Sequence, residues 1–187
     1  MLLETKNEYK QKKLKKITPQ RLKNIALYYL KRFETSEYNL RSVLKRRIDD
    51  YAYQNKEFDK KEAYKWLDDL IGDFVRIGYV NDERYTEIKV RTYLSAGKSP
   101  RYILNKLKEK GIDEDLANKL LYEQEFNPFE SAMKLAKKKK IGPYCEDENL
   151  RKERRNKDMG VLIRAGFDYD IVLKVLEYEE RLNQPTS

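Results

Sequence analysis

Apolar residues recur at three- and four-residue steps along most of this chain, the spacing that lines one face of a helix and not the alternation of a half-buried strand. Thr18-Pro19 starts the first such run, with a hydroxyl to cap the first turn and a proline at its first position. Leu22, Ile25, Ala26, Tyr29, Leu30 and Phe33 then share one face. Ser36 opens a second run through Leu40, Val43, Leu44 and Ile48. Past a polar stretch around Asn55, Asp59 opens a third through Ala63, Trp66, Leu67, Leu70, Ile71, Phe74 and Val75, ending at Gly78. The pattern restarts with Asn81 or Asp82 capping a helix that bears Tyr85, Ile88, Val90, Tyr93 and Leu94 and stops at Gly97. Ser99-Pro100 repeats the cap-and-proline arrangement ahead of Ile103, Leu104 and Leu107. Asp113 opens a short helix with Leu116, Leu120 and Leu121, and Asn127-Pro128 leads through Phe129, Ala132, Met133, Leu135 and Ala136 to a break at Gly142-Pro143.

Part of this pattern repeats. Leu107, Gly111, Ile112, Leu116 and Leu120 match Leu162, Gly166, Phe167, Ile171 and Val175 without a gap, at a constant offset of 55 positions, 166 minus 111. Helix, glycine, apolar residue, cap, helix describes two helices meeting at a fixed corner, with the residue after the glycine packed back onto the core. The clearest copies run from Tyr102 to Leu120 and from Lys157 to Leu176. The expected fold is all-α: tandem three-helix, helix-turn-helix-like repeats forming an elongated, curved array. A flexible basic arm is expected over 1–16, repeats over 17–78, 79–126 and 127–183, and a tail over 184–187.

Composition supports thin helical layers with wide solvated faces over one thick core: of 187 residues, 40% are hydrophobic and 39% charged, with only 7 Gly and 5 Pro for tight turns. The net charge of +9 makes a polyanion, nucleic acid above all, the natural partner. The excess is uneven. Residues 1 to 23 carry Lys6, Lys10, Lys12, Lys13, Lys15, Lys16, Arg21 and Lys23 against Glu4 and Glu8, and a second excess runs from Lys134 to Lys157. Within the latter, Lys137, Lys138, Lys139 and Lys140 end one helix, and Arg151, Lys152, Arg154 and Arg155 surround the start of the next, so both groups can face one polyanion.

Catalytic chemistry is hard to find. With no histidine, Ser-His-Asp and Cys-His nucleophile systems and histidine-based zinc sites are excluded, and no glycine-rich phosphate loop of either common type occurs. Asp49-Asp50, Asp68-Asp69 and Asp113-Glu114-Asp115 are neighbouring carboxylates that splay apart on a helix or complement its dipole, which suits neither a metal nor a catalytic pair. Cys145, the single cysteine, sits among acids, the opposite of the electropositive surroundings that activate a thiol. The 15 tyrosines are expected mostly at core-facing helical positions, as at Tyr29 and Tyr85. No run is long and apolar enough for a membrane span, and no apolar signal follows the lysine-rich start, so a cytoplasmic protein without cofactor is expected.

The stretch Gly78-Tyr79-Val80-Asn81-Asp82-Glu83-Arg84-Tyr85, followed by Val90-Arg91, Gly97, Pro100-Arg101, Ile103, Leu107 and Lys110-Gly111-Ile112, resembles the bacterial RecX family, modulators of the RecA recombinase. It is similar to that family's Gly-x-hydrophobic-Asp-Asp-x-Arg-Phe opening and its Val-Arg and Lys-Gly-Ile positions, with Asn81 for Asp and Tyr85 for Phe as departures. Thr18-Pro19 to Leu30 and the ending Arg164-Ala165-Gly166-Phe167-Asp168-Tyr169 extend the resemblance over roughly residues 18 to 178. The resemblance implies a string of three-helix repeats and a non-catalytic, monomeric regulator that binds the RecA filament and its single-stranded DNA, and inhibits ATPase and strand exchange. It makes Arg84, Arg91 and Arg101 candidate contacts, with Lys98 and Lys106 beside them. The run Lys137 to Lys140 is this chain's own feature and inherits no role. An autonomous nucleic-acid-binding protein is the alternative.

Overall fold

The structure, a computed structural model, describes residues 14–124 and 126–178. Most of the expected basic arm, the expected tail and the end of the expected third repeat lie outside the described residues. Among those described the chain is helical and contains no strand. Residues up to Val80 form one compact unit and those from Asn81 a second.

The first unit holds α1 (Pro19–Leu30), α2 (Glu37–Gln54) and α3 (Lys60–Arg76). Each starts where a short polar side chain can accept from an otherwise unpaired first-turn amide. Thr18 Oγ1 accepts from the Arg21 amide at 3.2 Å, Ser36 Oγ from Asn39 at 3.2 Å and Asp59 Oδ1 from Glu62 at 3.0 Å. The three apolar faces meet in a core of Leu22, Ala26, Leu40, Leu44, Ile48, Leu67, Ile71 and Phe74, all buried. Two expected core positions fall outside it. α1 stops at Leu30, so Phe33 lies beyond the helix and is half exposed, and Val75 is 43% exposed one residue past the buried Phe74. The Leu14 amide donates to Gln54 Oε1 at 3.3 Å, which ties the last residues of the expected arm to the end of α2.

The second unit holds α4 (Asp82–Ser95), α5 (Pro100–Lys108), α6 (Glu114–Tyr122), α7 (Pro128–Lys139), α8 (Glu148–Arg164) and α9 (Tyr169–Leu176), packed around two core clusters, one under α4–α6 and one under α7–α9. The 55-residue repeat is structural. Leu107 and Leu162, Ile112 and Phe167, and Leu120 and Val175 are buried in pairs, while Leu116 and Ile171 are both half-buried. Gly111 and Gly166 have φ of 72° and 90°. In both turns the next amide returns to the same carbonyl, Ile112 to Leu107 at 3.1 Å and Phe167 to Leu162 at 3.3 Å. The copies differ at one end. Pro100, the first residue of α5, matches Arg155, so residues 148–154 of α8 have no helical counterpart in α5.

The two trios of this unit interlock through their turns. Ser99 Oγ caps α5, accepting from the Tyr102 amide at 3.2 Å, and donates to the Ala165 carbonyl at 2.7 Å. A Cβ on the adjacent Gly166 would stand 2.6 Å from that hydroxyl oxygen. In the other direction, a Cβ on Gly97 would stand 3.0 Å from Lys134 Cβ and 3.1 Å from the Ser131 carbonyl on α7. Two sequence expectations fail here. Ile88 is 42% exposed while its neighbour Thr86 is buried, its hydroxyl donating to the Asp82 carbonyl at 2.6 Å. Of the tyrosines, Tyr85 is buried, but Tyr28, Tyr38, Tyr53, Tyr79, Tyr122, Tyr169 and Tyr178 are exposed, because the phenol hydroxyl lets the ring sit at a wet helix edge as readily as in a core.

Candidate functional site

The central candidates divide among three places. Arg84 and Arg91 are two turns apart on the outer face of α4, both exposed, with the exposed Ile88 between them, so this face presents an apolar residue flanked by guanidinium groups. Lys98, just before α5, and Lys106 within it lie at 4.7 and 5.9 Å from the centroid of the Tyr102 ring, which meets Tyr93 edge-on at 5.7 Å. Lys106 also binds the Glu109 carboxylate at 2.7 and 3.0 Å, and that bond holds its ammonium above the ordinary lysine value. Burial pushes the Tyr93 phenol up. Arg101 is exposed and lines a cavity of about 540 Å³ with Leu104, Lys108, Ile112 and Phe167.

The third-trio candidates come closer together. Lys137, Lys138 and Lys139 fill the last turn of α7, and Lys140 follows in the left-handed conformation, φ 53°, all four exposed. A short 3-10 turn, Gly142–Tyr144, then packs against α9. Gly142 shares a cavity of about 210 Å³ with Arg151, Lys152 and Arg155 of α8 and with Leu176, Glu177 and Tyr178 at the end of α9. The helical extension of α8 thus carries the basic cluster to a concave surface two residues beyond the lysine run. Arg151 lies 3.7 Å from Glu148, and Arg155 pairs at 2.7 Å with Glu177, which also lines the cavity.

Arg154 points differently. Its Nη2 lies 3.5 Å from Oδ1 of Asp158, whose side chain is only 3% exposed and which also lines the cavity. Nothing local in the sequence singles out Asp158, which reads there as one more charge on a charged helix. Extending the repeat by one turn exposes it, because 158 minus 55 is 103, the position of the fully buried Ile103. Among the described residues no cluster of three His, Cys, Asp or Glu could hold a metal ion, and no helix is long and apolar enough to cross a membrane. Cys145 is half-buried, its thiol 3.6 Å from the Asp147 carbonyl.

Residues 81–121, which span α4, α5 and most of α6, match the model of the second three-helix domain of RecX. The chain is 34% identical over 174 residues to the regulatory protein RecX of Myxococcus xanthus, covering 92% of both chains. It is 32% identical over 155 residues to that of Agrobacterium fabrum, covering 82% of this chain and 80% of the relative. The crystal structure of RecX from Lactobacillus salivarius superposes with a TM-score of 0.60 over 85% of this chain and 94% of that one, at 23% identity, a likeness of fold. A helical trio that matches the family's second domain, inside a chain 34% identical to a relative over 92% of both lengths, places this chain in the RecX family of regulatory proteins.

Proposed function

We propose that the chain binds the RecA recombinase filament and its single-stranded DNA in the cytoplasm and restrains RecA ATPase and strand exchange, without catalysing a reaction itself. The observation that carries this reading is the distribution of cations. Exposed guanidinium and ammonium groups stand on the outer face of α4, at the end of α7 and, as Lys152 and Arg155, on α8. Several separate basic faces suit a repeating polyanionic partner, because each contact made raises the effective concentration of the next. Adding the protein to RecA on single-stranded DNA is expected to lower ATP hydrolysis in a dose-dependent way. Unchanged hydrolysis together with no association with preformed filaments overturns the proposal.

The cavity beside α8 favours a second reading, an autonomous nucleic-acid-binding protein, since it is lined by Arg151, Lys152 and Arg155 without any partner protein. Affinity for recombinase-coated against naked single-stranded DNA, at one ionic strength, separates the two, and equal affinity supports the second.

A further inference from the structure

The two glycine corners open on one cavity. Ile112 and Asp113 after Gly111 match Phe167 and Asp168 after Gly166 at the offset of 55, 167 minus 112 and 168 minus 113, and all four line the space of about 540 Å³ that Arg101 also lines. Its apolar part is the half-buried Leu104 with the last exposed fractions of Ile112, Ala117 and Phe167, 5, 3 and 5%. Its charges divide by element. Arg101 and Lys108, two turns apart on α5, are the cations; Asp113, Glu114 and Asp168, at the starts of α6 and α9, are the carboxylates; all five are exposed. Elsewhere on α5 and α6 opposite charges close on each other, Lys106 on Glu109 at 2.7 Å and Lys119 on Glu83 at 3.7 Å. Around the cavity they stay apart. Among the described residues Arg101, Lys108, Glu114 and Asp168 have no ion pair, and the Asp168 carboxylate makes no capping bond.

We propose that this cavity docks a protein segment of the recombinase, one large apolar side chain entering it between an acidic residue that meets Arg101 and Lys108 and a basic residue that meets Glu114 and Asp168. Charge decides the class. Three carboxylates against two cations disfavour a phosphate backbone, unlike the all-basic run Lys137 to Lys140, and an apolar small molecule uses none of the five. A protein segment offers an apolar anchor with both signs beside it. A volume of about 540 Å³ falls within the roughly 300–1,000 Å³ of binding cavities and has room for an aromatic ring. Because the four charges have no pair to break, docking costs no existing contact, and the new pairs fix the segment's register more than they add affinity. The proposal rests on the filament reading and divides its labour: the basic faces engage DNA and this cavity engages protein.

The full chain is titrated against RecA filaments on single-stranded DNA and against the naked strand, at one ionic strength, beside two variants. Asn105→Trp places an indole at an exposed helical position that lines the cavity. Lys108→Gln combined with Asp168→Asn removes one charge of each sign and leaves the net charge at +9. Both variants are expected to unfold thermally like the unaltered chain and to hold naked-strand affinity within about twofold. Filament affinity is expected to fall at least about tenfold for Asn105→Trp, as when a buried anchor is lost, and about threefold for the charge variant, whose pairs are exposed. Filament binding unchanged in either variant overturns the proposal and leaves filament modulation standing, whereas equal affinity of the unaltered chain for coated and naked strands overturns both. Equal loss on coated and naked strands assigns the cavity to nucleic acid, and a dimer of the unaltered chain that Asn105→Trp dissociates in sedimentation assigns it to a second copy; either result overturns the proposal.

Discussion

Gly166 combines a φ of 90° with a neighbour, Ser99 Oγ, that would lie 2.6 Å from any Cβ placed there. Both effects oppose a side chain, the first because L residues rarely adopt that conformation and the second because the hydroxyl is held by its bonds to Tyr102 and Ala165. Gly166→Ala is expected to destabilise the protein by about 1–3 kcal/mol in urea unfolding, and Ser99→Ala by about 1–2 kcal/mol because the cap is removed. The two are expected to be less than additive, because removing the hydroxyl makes room for the new methyl. Full additivity would mean that backbone strain alone carries the glycine's role. In the first unit, Asp49 meets Lys60 at 2.6 Å and accepts from the Tyr64 hydroxyl. Burial alone would push the Asp49 carboxyl up, but these two partners outweigh it and hold it below its ordinary value of 3.8. A carboxyl lowered on folding stabilises above its unfolded value and stops doing so as pH falls through the folded one. The stability difference between the unaltered chain and Asp49→Asn is therefore expected to be present at neutral pH and to vanish in acid below that value.

At the scale of the element, α6 and α9 are equivalent helices with unequal caps. Asp113 Oδ1 accepts from the amides of Asp115 at 3.0 Å and Leu116 at 3.2 Å, whereas the Asp168 side chain makes no capping bond. Asp113→Ala is expected to cost about 1 kcal/mol and Asp168→Ala distinctly less, as read by thermal or urea unfolding. The end of α7 tests charge in the same way. Reversing Lys137, Lys138, Lys139 and Lys140 to Glu is expected to weaken filament or DNA association more than reversing the exposed Lys45, Arg46, Arg47 and Lys56, which change the net charge equally. Equal weakening would mean that net charge acts, not the patch. The repeat was legible in the sequence because each of its features is local: a glycine that leaves the helix, an apolar residue behind it, a cap and the next helical stripe. Ile88 and Val75 were misplaced because three- and four-residue spacing defines a stripe, not its width, and a helix at the edge of a layer buries less of it.

For the whole molecule, with a net charge of +9, the proposed association with DNA is expected to depend on salt, log affinity falling linearly against log salt concentration with a slope set by the number of phosphates neutralised. Neutralising Arg151, Lys152 and Arg155 together is expected to reduce that slope by up to about three, one for each phosphate that is no longer neutralised, in binding measured across a salt series. An unchanged slope would remove these residues from the binding surface. The division of the chain at Val80 and Asn81 falls inside the stretch Gly78 to Tyr85 that carries the strongest motif. That motif therefore ends one unit and opens the next, with Asn81 accepting from the Arg84 amide at 2.9 Å to start α4.

What the sequence determined by itself follows from short-range physics. Caps, helical stripes, the glycine corners and the absence of histidine are properties of neighbours in the chain, and they were enough for an all-helical repeat, for the family and for the two basic regions. The tertiary structure alone decided which charges share a surface. It separated Arg84 and Arg91 from Arg101, joined Arg151, Lys152 and Arg155 around one cavity, and buried Asp158 in the lining of that cavity. Burial is a property of what other helices place opposite a residue, so an aspartate on a charged helix and an aspartate in a core read alike until α9 is packed against α8.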